Sequence, residues 1–288
     1  MAEHAPLSLP TLVQRFFLDH LTEQRAVSAQ TVAAYRDTLR LLFNYAATVL
    51  RRTPSAITLS DLDAPLLLAF LDHLEKGRGN SVRSRNARLA AIRTFLKYAS
   101  HYDLASLATI ERALAIPFKR FDRPLVGFLS RSEVIAIIEA PDRSSWAGQR
   151  DRAFFSMMYN TGARVSEMIG IRCRDVVLEG QPAVHLCGKG RKERSVPLWR
   201  PTAALIRSWR RQIGDPAGDS ILFPNRSGGR MTRSNVTQRL GLAVAIAGRK
   251  YPGLLERPVT PHTVRHTTAM HLLQSGVDIT VIALWLGH

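Results

Sequence analysis

The first hundred residues carry apolar side chains at helical spacing and show no strand signal, which excludes a sheet-based fold for this part of the chain. Residues 8–22 place Leu12, Phe16 and Leu21 near one face. Ser28 opens a second helical stretch, and Leu39, Leu42 and Phe43 continue its stripe toward Val49. Ser60 or Asp61 is the candidate cap of a short helix through Leu74. Ser81 starts a fourth, with Leu89, Ile92, Leu96 and Ala99 inward. The pattern predicts a small all-helical domain over residues 6–104. Residues 105–123 then read as an exposed linker, because the segment PFKRFDRPLVG mixes prolines and charges.

Beyond the linker the pattern stays helical with one interruption. SRSEVIAIIEA and RDRAFFSMMYN read as helices, and Gly162 is a helix stop. AVHLC and RSVPL are short apolar or β-branched runs around GKGRKE, which predicts a hairpin. Helical stretches follow as far as residue 288. The expected class is mainly α with a small β-sheet, and residues 124–288 form a mixed α+β second domain.

Charge limits the partners. The chain has 40 Lys and Arg against 23 Asp and Glu, a net of +17. Such a field attracts polyanions, with nucleic acid the default. Arginine dominates the basic residues, and its fork matches phosphate oxygens better than the point charge of lysine does. No apolar run approaches the roughly 20 residues that cross a bilayer, and no secretory signal opens the sequence. Cys173 and Cys187 are too few for a disulfide framework and fit a reducing compartment. The expected setting is cytoplasmic, without membrane association.

Four clusters could carry chemistry. TGARVSE puts Arg164 just after a glycine turn at a helix start. GKGRKER puts Lys189 and Lys192 on the hairpin. HTVRH puts His262 and Arg265 three apart on one helical face. LGH ends in His288. Each has an ordinary reading as a solvated turn, hairpin tip or helix face. HTVRH lacks the glutamate of the HExxH zinc sites and sets a cation between its histidines, so no metal is expected. GxSxG and the GxxxxGK[ST] phosphate loop are absent. Two arginines, a lysine and two histidines without a carboxylate pair suit a phosphodiester. Guanidinium groups would stabilise the charge of a pentacoordinate phosphorane without a cofactor. Arg83, Arg85, Arg88 and Arg93, along the fourth helix, are candidate contacts to a DNA backbone or major groove, with Lys192 joining them from the hairpin.

In order and spacing, TGARVSE, GKGRKERSVPL, TPHTVRHTTAMHLL and VIALWLGH resemble the tyrosine recombinases, or phage integrases, and Xer-like members in particular. The resemblance spans the chain. It implies that residues 6–104 are a SAM-like core-binding domain and residues 124–288 the catalytic domain, together forming a C-shaped clamp on double-stranded DNA. It implies that Arg164 and Arg265 hold the scissile phosphate and that Lys189 is the general acid toward the 5′-hydroxyl. His262 would donate a hydrogen bond and help transfer a proton, and His288 would bind the phosphate. Glu167 would orient the site, and the role of His266 stays open. It also implies site-specific recombination through a 3′-phosphotyrosyl intermediate, no metal or cofactor, and other recombinase subunits as partners in a tetrameric synapse.

One departure shapes the expectation. The family's nucleophilic tyrosine lies beyond the histidine matching His288, and none of Tyr35, Tyr45, Tyr98, Tyr102, Tyr159 and Tyr251 does. The expectation is a chain shortened before its nucleophile. It would bind DNA without cutting it, mainly as a monomer of marginal solubility, and expose Ile282, Leu284, Trp285 and Leu286. The alternative is a non-catalytic DNA-binding relative that occupies recombination sites.

Overall fold

The computed structural model describes residues 7–122, 127–188, 193–216 and 218–287. The chain divides into two compact units, residues 1–123 and 124–288.

The first unit is helical throughout its described residues. α1 (Leu9–Arg15) continues as a wider π-helical stretch, Phe16–Gln24. α2 (Ala29–Leu50), α3 (Ala64–Asp72), α4 (Val82–Ala99) and α5 (Leu107–Leu114) follow. Short polar side chains set the starts: Ser8, Ser28 and Ser81 each accept from the backbone N–H three residues on, which satisfies one of the free donors of a first turn. The cap of α3 is Asp63 rather than Ser60 or Asp61. Asp61 instead accepts from Thr58 and pairs with Arg52 in the preceding turn. Phe16 is fully buried at the centre, against Phe95, Tyr35 and Tyr98.

Residues 105–123 are not an open linker over their whole length. Their first half is α5, and Ile110, Ala113 and Ile116 are buried in the core of this unit. Ile110 and Ala113 stand three residues apart on one face of α5, Ile116 follows just beyond its end, and these apolar side chains hold the segment in place by leaving water. The remainder runs back along α4. Arg85 donates to the carbonyl of Pro117 and Asn86 to that of Lys119, while the Lys119 ammonium pairs with Glu75 at 2.8 Å.

The second unit packs helices around a small sheet. α6 (Arg131–Glu139) begins with a Ser130–Glu133 capping box. α7 (Trp146–Thr161) is buried nearly all round, with Phe154, Phe155, Met157 and Met158 in the core, so it has no clean apolar stripe. Gly162 ends it in the left-handed region at φ 57°, and an added Cβ there would stand 2.4 Å from Leu286 Cδ2. A one-turn helix, α8 (Val165–Met168), follows. β1 (Val176–Val177), β2 (Ala183–Cys187) and β3 (Glu193–Pro197) form an antiparallel sheet in the order β1-β2-β3. Val184 faces Val196 and Leu186 faces Arg194, with Val184, Leu186 and Val196 turned to the core. α9 (Arg200–Gln212), α10 (Arg233–Ala247), α11 (Pro261–Gln274) and α12 (Ile279–Leu286) complete the unit. Ile282 and Leu286 of α12 are buried, while Leu284 is exposed, so the expected apolar exposure falls on only part of that helix. No helix among the described residues is long and apolar enough to cross a membrane.

Candidate active site

Three helix ends meet at the site. Gly162 closes α7 and turns the chain so that Arg164 sits at the N-cap of α8. α11 starts from a Thr260 cap with Pro261 in its first turn and carries Arg265. α12 ends at Gly287, left-handed at φ 72°. Side chains tie these helices together. The Thr268 hydroxyl donates to the carbonyl of Tyr159 at 2.6 Å, and Trp285 Nε1 donates to that of Asn160 at 3.1 Å.

Arg265 is 6% exposed. Its Nη1 donates to the carbonyl of Gly162 at 2.7 Å, and its Nη2 to that of Leu286 at 2.9 Å. Arg164 Nη2 reaches the next carbonyl, Gly287, at 3.4 Å. The two arginines therefore converge on adjacent carbonyls at one helix end, where the macrodipole is negative. Glu167 is buried beside them. Its Oε2 accepts from the Arg164 backbone N–H at 2.9 Å, and its Oε1 from Arg164 Nη1 at 3.0 Å.

Arg194 also belongs here, and the motifs do not single it out. Its Nη2 donates to Glu167 Oε2 at 2.8 Å and its Nε to the carbonyl of Trp285 at 2.9 Å. The signal lies in the strand: Arg194, Val196 and Leu198 alternate, so an inward Val196 places Arg194 inward too.

The electrostatics follow from this crowding. Burial, and then the neighbouring Arg164 charge, push Arg265 down to about 10. Burial alone would raise Glu167, but hydrogen bonds from Arg194 and Arg164 outweigh it and hold the carboxyl below its usual range. The cluster carries three guanidinium groups around one carboxylate, which suits it to receive an anion.

His262 is exposed in the first turn of α11, one turn before Arg265, and His266 is half-buried. Lys189, Lys192 and His288 lie outside the described residues. Among the described residues no His, Cys, Asp and Glu group is arranged to hold a metal.

The four arginines of α4 have different surroundings. Arg85 departs from the expected DNA contact: it is 3% exposed, pairs with Glu75 at 3.4 Å and holds the Pro117 carbonyl. It lies one turn before Leu89 on the inward stripe, so its guanidinium is enclosed with a partner instead of facing solvent. Arg83 lies over the Phe121 ring and Arg93 over the Phe118 ring, at 5.5 and 5.1 Å. Arg83 remains exposed, and Arg88 and Arg93 partly so.

With these helices, this sheet and this arginine cluster in place, comparison with known proteins gives the class. Residues 127–288 match the phage integrase family, and residues 14–102 match the phage integrase N-terminal SAM-like domain. The chain belongs to the phage integrase family of tyrosine recombinases. It is 47% identical over 290 residues to a Sinorhizobium fredii chain named as an integrase/recombinase, covering 100% of this chain and 86% of that one. It is 31% identical over 278 residues to tyrosine recombinase XerD of Pseudomonas putida, covering 94% and 87%. A lambda integrase tetramer bound to a Holliday junction shares the fold at TM-score 0.67 and 14% identity, over 98% of this chain and 77% of that one.

Proposed function

We propose that this chain binds double-stranded recombination-site DNA and holds a scissile phosphate between Arg164 and Arg265. The observation that carries the reading is the convergence of these two guanidinium groups on the carbonyls of Leu286 and Gly287, with Arg265 buried under positive charge. In this role the arginines neutralise the non-bridging oxygens as an oxygen nucleophile adds to phosphorus. Lys189 gives its proton to the departing 5′-oxygen, and His262 and His288 donate to the phosphate. Arg88, with Arg83 and Arg93, contacts the duplex backbone from the first unit, and Lys192 does so from the hairpin. Further recombinase subunits complete the assembly, as the tetrameric lambda relative suggests.

The nucleophile is a separate matter. The Tyr159 hydroxyl is committed to His271 Nδ1 at 2.7 Å, and Tyr251 packs on the core beside the end of α10. In this reading residues 1–288 bind the DNA and hold the phosphate, and the covalent link is made with a tyrosine supplied from outside these residues.

The test starts with a duplex selected by the protein from a random pool, then nicked beside each candidate cleavage position. Residues 1–288 should retain the selected duplex in a gel shift and form no covalent adduct alone. Adding a tyrosine-bearing relative should produce an adduct. Failure to select any duplex would overturn the reading, and an adduct from residues 1–288 alone would overturn the external tyrosine.

A further inference from the structure

The last three carbonyls of the α12 end are each taken by a different arginine. Arg194 Nε bonds Trp285, Arg265 Nη2 bonds Leu286, and Arg164 Nη2 reaches Gly287. Arg164 and Arg265 hold the phosphate in the proposed function. Arg194 has no part in it, yet it alone of the three reaches the α12 end from the sheet.

We infer that Arg194 is a positioning residue that ties strand β3, the Glu167 carboxylate and the α12 end into one frame, and so sets where Arg164 and Arg265 meet a phosphate. The inference rests on the proposed phosphate-holding role of those two arginines. Three features of the geometry support it. First, the position is costly unless it is used. Arg194 faces Leu186 across the ladder, on the core side of the sheet, and its side chain is only 10% exposed. An enclosed guanidinium needs its hydrogen bonds filled.

Second, the partners it fills are those of the site. Glu167 gives its two oxygens to Arg164 and Arg194 together, so the carboxylate cannot follow one arginine without straining the other. A fork is required: Nε serves the helix end while Nη2 serves the carboxylate, which a lysine ammonium cannot do at both places with the same planar geometry.

Third, the helix end is shaped around this side chain. At Gly287 an added Cβ would stand 2.7 Å from Arg194 Nη1, and the residue is left-handed. The glycine of LGH thus meets two demands: reversal of the helix and close approach of Arg194.

The test uses residues 1–288 labelled with nitrogen-15 at arginine side chains, with inorganic phosphate as probe. In the parent, phosphate should move the Nε–H signals of Arg164 and Arg265 together. Arg194→Gln should weaken that affinity about tenfold, in the range of coupling between residues of one network. It should also speed amide exchange at residues 285–287 and raise the pH at which the Glu167 carboxyl titrates by carbon-13 NMR. Arg194→Lys should restore much of the Glu167 titration, because a cation remains beside it, but not the slow exchange at 285–287.

An unchanged phosphate affinity in Arg194→Gln, with the parent binding normally, would overturn the inference. If Arg194→Gln does not fold, Arg194→Lys decides: parental affinity and parental exchange at 285–287 would overturn it. If phosphate moves neither arginine in the parent, the functional reading fails. The exchange and Glu167 measurements would then still judge the tie made by Arg194.

Discussion

Glu167 shows how one carboxylate organises a basic site. It is 8% exposed and accepts from Arg164 and Arg194. Because these partners hold its folded-state carboxyl below the ordinary 4.5, its stabilisation is complete above that value and is lost as the pH falls through the folded value. Glu167→Gln should therefore cost about 3 kcal/mol near neutrality, as expected for an enclosed ion pair missing one partner. The gap to the parent should close in acid. Denaturant melts at a series of pH values check this, and a pH-independent gap would contradict it. Arg265 predicts a response to ligands. Its charged form is disfavoured by burial and by Arg164, so the arginine cluster is under electrostatic strain that an anion relieves. Sulfate should raise the melting temperature of the parent at constant ionic strength, and Arg265→Gln should remove most of that rise.

At the scale of elements, the sequence is readable where a residue's role is local. Ser28, Ser81 and Ser130 cap their helices, Gly162 ends α7, and the two runs around GKGRKE pair as a hairpin. It is less readable where distant contacts decide. Arg194 reads as part of a basic tip, although strand alternation turns it inward to a carboxylate 27 residues earlier. α5 hides in a stretch whose prolines and charges suggest a linker, although Ile110 and Ala113 mark its buried face and Ile116 is buried just after it. Arg85 groups with three other arginines by composition, although its place one turn before Leu89 puts it on the inward stripe. This separates two arginines three residues apart. Arg85→Ala should destabilise the chain by about 1–3 kcal/mol, because an enclosed side chain and its bond to the Pro117 carbonyl are lost while Glu75 keeps Lys119 as its partner. Arg88→Ala should melt within about 0.5 kcal/mol of the parent, as substitutions away from enclosed networks do, yet weaken duplex binding. Melting curves and gel shifts on both variants check the pair, and equal effects on stability would contradict it.

For the whole molecule, the charge is unevenly placed and its effect is testable. Of the net +17, residues 118–288 supply 26 basic and 13 acidic residues, or +13, and residues 1–117 supply 14 and 10, or +4. Many of the arginines are already engaged by carboxylates: Asp151 takes Arg150 and Arg239, and Asp219 takes Arg172 and Arg174. Net charge therefore overstates how many cations meet phosphates, and the salt dependence of binding measures the number that do. If about 6–10 phosphates are contacted, affinity for a selected duplex should fall roughly 10³–10⁵-fold between 50 and 200 mM salt. Substituting Arg88 should lower the slope of log affinity against log salt by about one, since one phosphate fewer is neutralised and its counterion is no longer released. Substituting Arg85, which is turned away from solvent, should leave the slope unchanged in any sample that remains folded. A flat salt response in the parent would mean that the excess charge does not engage the backbone. A slope that fell equally for both substitutions would mean that the fourth helix does not present Arg88 to DNA in the way its exposure implies.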